Sequence, residues 1–221
     1  MKVIGVGLNK TGTKTLAHYL KGWGMRHRSY DLEAFRRYRR GEIDGLLDEM
    51  ADWDSFEDWP WPLFWREIDA RYPDARFVLT VRENADVWYR SLCRMAVRMG
   101  PLVDFERHIY GHAMPQDHRA AHLAFYAAHN AAVAAHFADR PGKLLTICWK
   151  DPEAPAKLAA FLDRELPVAP PVHENRGSPV YGGDNLWLAL ACRLAYARYW
   201  QAKQAWRRMT RRRGGPLKPD G

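Results

Sequence analysis

The sequence predicts a three-layer α/β domain built on a central, mainly parallel sheet. Three observations lead there. Short apolar runs fit for buried strands occur at residues 2–7, 76–82 and 144–149, helix-patterned stretches separate them, and a glycine-rich turn joins the first strand to the first helix. Alternation of strand and helix favours parallel pairing, with helices covering both faces of the sheet.

Each element has a local reason. "KVIGVG" (2–7) is a buried apolar run, and "TKTLAHYLKGWG" places Leu16, Tyr19, Leu20 and Trp23 at helical spacing with Gly24 as a stop. A charged helix is expected from about Asp31 to Met50, then an edge strand in "WDSFED" (53–58) that ends on an acidic pair. In "PWPLFWREIDARYP", Pro60 and Pro62 stand near a helix start and Pro73 just past its end. "RFVLTVR" (76–82) is rich in β-branched and apolar residues and is the clearest strand. Asn84 is a fitting N-cap for a helix through "NADVWYRSLCRMAVRMG" that Gly100 closes. A long alanine-rich helix (117–142), the strand "LLTICW" (144–149) and the helix "EAPAKLAAFLDREL" follow. Residues 167–183 form an irregular stretch, and a last helix starts near Asn185. The expected division is therefore a domain at 1–183 and a C-terminal helix with a basic tail at 184–221.

At 221 residues the chain suits one domain with a short appendage. Cys93, Cys148 and Cys192 lie far apart without a Cys-x-x-Cys pair, so neither a disulfide framework nor a thiolate metal site is expected. That usage, and an N-terminus without a secretion-signal pattern, point to the cytoplasm. The formal net charge is +8. From Arg198 onward eight basic residues stand against Asp220 alone, so the tail carries all but one of those charges. The body is close to neutral and no nucleic-acid partner is expected; the tail is a candidate for peripheral contact with the inner membrane face.

"GVGLNKTGTKT" (5–15) is the most informative stretch. A nucleoside-triphosphate loop places its lysine directly after the second glycine, whereas here Thr13 follows Gly12 and Lys14 comes one position late. On a helix that slip turns the ammonium by about 100 degrees. A dinucleotide fingerprint fails as well, because Lys10 stands where the third glycine belongs. The remaining reading is a P-loop-type turn with Lys10 inside it. Thr11, Gly12, Thr13, Lys14 and Thr15 then receive an anion at a helix N-terminus. At the end of "RFVLTVR", where a Mg-nucleotide enzyme wants a metal-holding aspartate, the chain has Arg82, with Ser91 nine residues on. Two separated phosphate contacts without a metal carboxylate suit 3'-phosphoadenosine 5'-phosphosulfate (PAPS) better than ATP, and no metal is expected.

These segments resemble the sulfotransferase family. "GLNKTGTKTL" looks like its 5'-phosphosulfate loop, and "FVLTVRENADVWYRS" is similar to its 3'-phosphate segment, an arginine ending a strand and a serine in the next helix. "EDWPWPLFWREIDARYPDARFVLTVRE", "AHNAAV" and "PPVHENRG" resemble the short sulfotransferase-like proteins in particular, over about residues 2–178. The chain departs from the pattern in two places. Relatives commonly set the serine eight residues after the arginine, and the basic glycine-rich loop of larger relatives is not evident. Arg176 in "HENRGS" is a candidate substitute.

The resemblance implies sulfuryl transfer from PAPS to a hydroxyl on a small molecule, saccharide or lipid. Lys10 is then the candidate for the bridging-oxygen contact, with Thr11 to Thr15, Arg82, Ser91 and Arg176 around the donor. Asp58 matches the family's aspartate and is the candidate base, against the alternative of an N-cap for a helix from Pro60; Glu57 stands second. His173, Asn175 and Arg176 are candidates for closing the site. His118, His122, His129 and His136 share one helical stripe, yet the stripe borders Leu123, Tyr126, Val133 and Phe137, so packing outweighs metal binding. The aromatics Trp187, Tyr196, Tyr199, Trp200 and Trp206 do not gather on one face, so packing competes with an interfacial anchor. Two other functions stay open: a nucleotide kinase with a degenerate loop, and a non-catalytic membrane-associated binding protein.

Overall fold

Five short strands, all parallel, form the sheet, in the order β2-β3-β1-β4-β5. The computed structural model describes residues 1–99, 104–112 and 114–166, together with positions 191, 194 and 198. The chain runs through β1 (Val3–Gly5), α1 (Thr13–Gly22), β2 (His27–Arg28), α2 (Leu32–Arg39), α3 (Ile43–Glu49) and β3 (Ser55–Phe56). It continues through α4 (Trp65–Arg71), β4 (Arg76–Val81), α5 (Ala85–Met99), α6 (Asp104–Tyr110), α7 (Arg119–His136), β5 (Leu144–Cys148) and α8 (Ala154–Phe161). β1 is central: the chain leaves it for the β2 edge, returns beside it as β3, and crosses to its other side as β4. Such reversals place ligands at the carboxyl ends of the central strands.

Alternation along the strands assigns the two faces. Val3 and Val78 point with Ile147 into a core completed by Leu16, Tyr19 and Leu20 of α1 and Leu158 of α8. Ile4, Phe56, Phe77 and Leu79 point the other way, toward Leu46, Trp65 and Ile68, toward Val133 of α7 and toward Phe137 just after it. This is the expected three-layer arrangement, built from a two-residue side-chain period. Asp69 of α4 pins the second face: His136 Nε2 and Arg140 Nη1 each donate to its Oδ2 at 2.8 Å. Burial pushes this carboxyl up, yet the two hydrogen bonds hold it below its ordinary value.

The chain divides into two compact units. The first, Met1–Trp88 with Tyr126–Arg176, contains the whole sheet. The second takes in Tyr89–Phe125 and 177–221. Within it, Tyr89 donates its hydroxyl to the Pro115 carbonyl at 2.7 Å, His122 Nδ1 donates to His118 O at 2.8 Å, and the His112 and His118 rings stack.

The structure corrects four expectations. The helix expected over 31–50 is two helices, because Gly41 at φ +79° lets the chain turn between α2 and α3. The strand in "WDSFED" is only Ser55–Phe56 and is internal, since the unexpected β2 pairs outside it. No α-helix starts at Pro60: a single 3-10 turn spans Trp61–Leu63 and α4 begins at Trp65, so Asp58 does not cap it. His118 precedes α7, and the other stripe histidines bond separately, His122 to His118, His129 to Val6 and His136 to Asp69. Asn84 does cap α5, accepting the Val87 amide at 2.9 Å. The irregular stretch, the last helix with its aromatics, the basic tail, the boundary at 183, His173, Asn175 and Arg176 lie outside the described residues.

Candidate functional site

The turn between β1 and α1 is shaped by what cannot be there. A Cβ on Gly7 would lie 2.0 Å from Thr80 Oγ1 and 2.5 Å from the Thr80 carbonyl oxygen, so only glycine lets the loop pass β4 this closely. Gly12, at φ +100°, sits against Trp149, whose Cδ1 would be 2.3 Å from an added Cβ. Trp149 in turn stacks on Tyr19, with ring centroids 5.6 Å apart. These two contacts fix both ends of the loop.

Between them, one backbone carbonyl after another is tied down. His129 Nε2 donates to Val6 O at 2.7 Å, Thr11 Oγ1 to Leu8 O at 2.6 Å, Trp88 Nε1 to Asn9 O at 2.9 Å and Arg82 Nε to Lys10 O at 2.6 Å. The donors have supports of their own. Thr80 Oγ1 lies 2.7 Å from Thr11 Oγ1; Trp88 stacks on Tyr126, whose hydroxyl accepts the Arg82 amide at 3.0 Å. Burial holds His129 below the usual histidine value against the bond to Val6, which favours the neutral ring with its proton on Nε2.

Carbonyls turned to these donors leave the amides as the loop's remaining polar groups. Among the described residues, the Gly12, Thr13 and Lys14 amides and the Thr13 and Thr15 hydroxyls have no protein partner. α1 has no acidic residue in its first turn and no side-chain cap, so its positive end is uncompensated. Lys10 itself sits at φ +68°, a left-handed conformation that side chains seldom adopt, and Arg82 holds its carbonyl in place. The terminal amino groups of Arg82 make no hydrogen bond among the described residues. The corner therefore offers amides, hydroxyls and a guanidinium fork, a donor set suited to phosphate or sulfate oxygens.

An acidic corner adjoins it at the end of β3. Glu57 has no exposed surface, and its Cβ would be 2.8 Å from a Cβ on Gly5. Ser29 Oγ donates to Glu57 Oε1, and His27 Nε2 lies 3.6 Å from the same oxygen. Asp58 follows at φ +64°, accepting the Trp59 amide at 2.9 Å through Oδ1. Its carboxyl is pushed up to about 7, first by burial and then by the negative charge of Glu57, against the Trp59 bond and the charges of Lys10 and Lys14. A carboxyl poised there exchanges a proton near neutral pH.

Of the residues expected from the sequence, Lys10 to Thr15, Arg82 and Asp58 belong to one end of the sheet in the first unit. The Thr11 hydroxyl faces inward, spent on Leu8 and Thr80, so that residue supports the loop from behind. Ser91 is buried in α5 and falls in the second unit. Arg176 is outside the described residues. Thr80, Trp88, Tyr126 and Trp149 escaped the sequence reading; Thr80 and Trp149 stood at strand ends, where such a reading can look for supports.

A family model for the sulfotransferase domain matches residues 2–179. No curated protein matches the chain.

Proposed function

The chain belongs to the sulfotransferase family, and from that premise we propose that it moves a sulfuryl group from PAPS to a hydroxyl acceptor. The observation that carries the reading is the pairing of an anion cradle, locked to Arg82, with a carboxyl of raised proton affinity beside Lys10 and Lys14. The open amides of Gly12–Lys14 fit the 5'-phosphosulfate, and the free end of Arg82 fits a second phosphate. Ser91 and Arg176 are further candidates for the donor. When bound, PAPS supplies the sulfuryl group and a phosphate leaving group. Lys10 neutralises the charge that grows on the oxygen left behind, with the loop amides beside it. Asp58 takes the acceptor's proton as its oxygen bonds to sulfur. Thr13 and Thr15 orient the donor's oxygens.

The acceptor in this reading is a hydroxyl on a small molecule, saccharide or lipid, the chain works in the cytoplasm, and its basic tail touches the inner membrane face. Among the described residues no helix is long and apolar enough to cross a membrane.

Thermal unfolding with 3'-phosphoadenosine 5'-phosphate, and separately with ATP and Mg2+, tests the donor. The 3'-phosphorylated nucleotide should raise Tm in proportion to ln(1 + [L]/Kd). Arg82→Ala should weaken its binding by about 10- to 100-fold, the range for a lost charged hydrogen bond. Stabilisation by ATP–Mg2+ alone would overturn the reading in favour of a nucleotide kinase.

A further inference from the structure

Glu57 has no solvent contact, and yet its carboxyl is incompletely matched: Ser29 serves Oε1, while Oε2 is buried with no hydrogen-bond partner. His27 faces it in the same way. Its Nδ1 lies 2.8 Å from Ser55 Oγ, while its Nε2 is buried without a hydrogen bond, 3.6 Å from Glu57 Oε1. Both side chains are wholly enclosed. Leaving such groups short of partners is costly, and an apolar residue just after β3 would avoid it. Gly5 gives up its own Cβ at the point where Glu57 packs. The arrangement keeps the carboxyl group of the residue before Asp58 in a place no acceptor can reach.

We propose that Glu57, held by Ser29 and His27, is a positioning residue for Asp58: a sealed carboxylate whose charge strengthens its neighbour as a base. This rests on Asp58 acting as the base. Groups on four segments set the field. Glu57 follows β3 and carries the charge that opposes ionisation of Asp58; Lys10 of the loop and Lys14 of α1 oppose that charge, and Tyr30, after β2, is within electrostatic range of Asp58. His27 of β2 and Ser29 face Glu57 rather than Asp58. With Glu57 charged, Asp58 holds the proton it removes from the acceptor more firmly. With Glu57 neutral, the two lysines dominate and Asp58 becomes a weaker base.

The test is an NMR titration of protein labelled with 13Cγ-aspartate, the Asp58 signal being identified by its loss in Asp58→Asn, run beside a kcat/KM profile against pH. Glu57→Gln keeps the shape and removes the charge. It should lower the Asp58 midpoint by about one pH unit, as expected for one neighbouring charge, and move the acid limb of kcat/KM down with it. Glu57→Asp should return the midpoint toward the wild-type value. If Glu57→Gln does not fold, Glu57→Met, which removes the charge and leaves no carboxyl oxygen to be matched, should lower the midpoint in the same direction. A midpoint unmoved in Glu57→Gln, or in Glu57→Met where that replaces it, overturns the role of Glu57 whatever the turnover does. A midpoint that moves while the acid limb stays fixed overturns instead the role of Asp58 on which the proposal rests.

Discussion

The glycine loop after β1 and the acidic corner after β3 lie side by side and are built on opposite terms. In the loop, the carbonyls of Val6, Leu8, Asn9 and Lys10 all have donors, and the strain is confined to the backbone at Lys10. At the acidic corner, Glu57 Oε2 and His27 Nε2 are buried without hydrogen bonds and Asp58 is desolvated beside a like charge. The loop is held in shape because these carbonyls are matched. The corner instead leaves buried polar atoms without hydrogen bonds, and the surrounding core holds it in place. Substitutions in the two places should therefore change stability by different amounts, and at Asp58 with the opposite sign.

The largest effect is expected at Gly7. Gly7→Ala drives a methyl to 2.0 Å from Thr80 Oγ1 and 2.5 Å from backbone, neither of which is a flexible side-chain end. β1 and β4 must separate locally, at a cost of about 3 kcal/mol or more. Thermal unfolding should show a Tm lower by 10 °C or more, on the order expected of a domain this size. An unchanged Tm would mean that the loop is not pressed against β4.

Next comes Asp69, a buried carboxyl with cationic partners and so the control for Asp58. Its folded value is depressed, and its contribution is therefore present above the ordinary carboxylate range and lost as pH falls through that range. Asp69→Asn should cost about 2 kcal/mol at pH 7 and progressively less as wild type is acidified. At Asp58 the sign reverses. A carboxyl raised to about 7 binds its proton more tightly in the folded state, so wild type loses stability as pH rises from about 4 toward 7. Asp58→Asn should be more stable than wild type at pH 8, with the gain disappearing near pH 4. Denaturant titrations at the two pH values decide it: equal differences at both would remove the raised proton affinity.

The sheet was legible because apolar strands buried on both faces leave continuous runs such as "RFVLTVR". β2 was not, because a two-residue strand, His27–Arg28, has no period to detect and is polar. The turn between β1 and α1 was legible for a chemical reason, since glycine, lysine and hydroxyl spacing encodes it directly. Its supports were not. Trp149 reaches the loop, and Tyr126 its supports Trp88 and Arg82, from distant segments, and nothing in their local sequence tells an indole over Gly12 from an ordinary core aromatic. Asp58 illustrates the limit most clearly: its position was readable, but its proton affinity depends on burial and on Glu57, which exist only in the fold.

The smallest stability change is expected where the two regions meet in function, at Lys10. Its φ of +68° costs a side chain about 1 kcal/mol and costs glycine nothing. Lys10→Gly should leave Tm within about 2 °C of wild type or raise it slightly, because the relief of strain offsets the greater freedom of the unfolded chain. Arg82 can still hold the residue-10 carbonyl, so the loop keeps its shape. The ammonium is gone, however, and with it the charge assigned to the leaving oxygen. Transfer should fall by about 100-fold or more, with 3'-phosphoadenosine 5'-phosphate affinity much less affected. Turnover close to wild type would show that the amides of Gly12–Lys14 suffice and that a left-handed lysine at this position serves the fold alone.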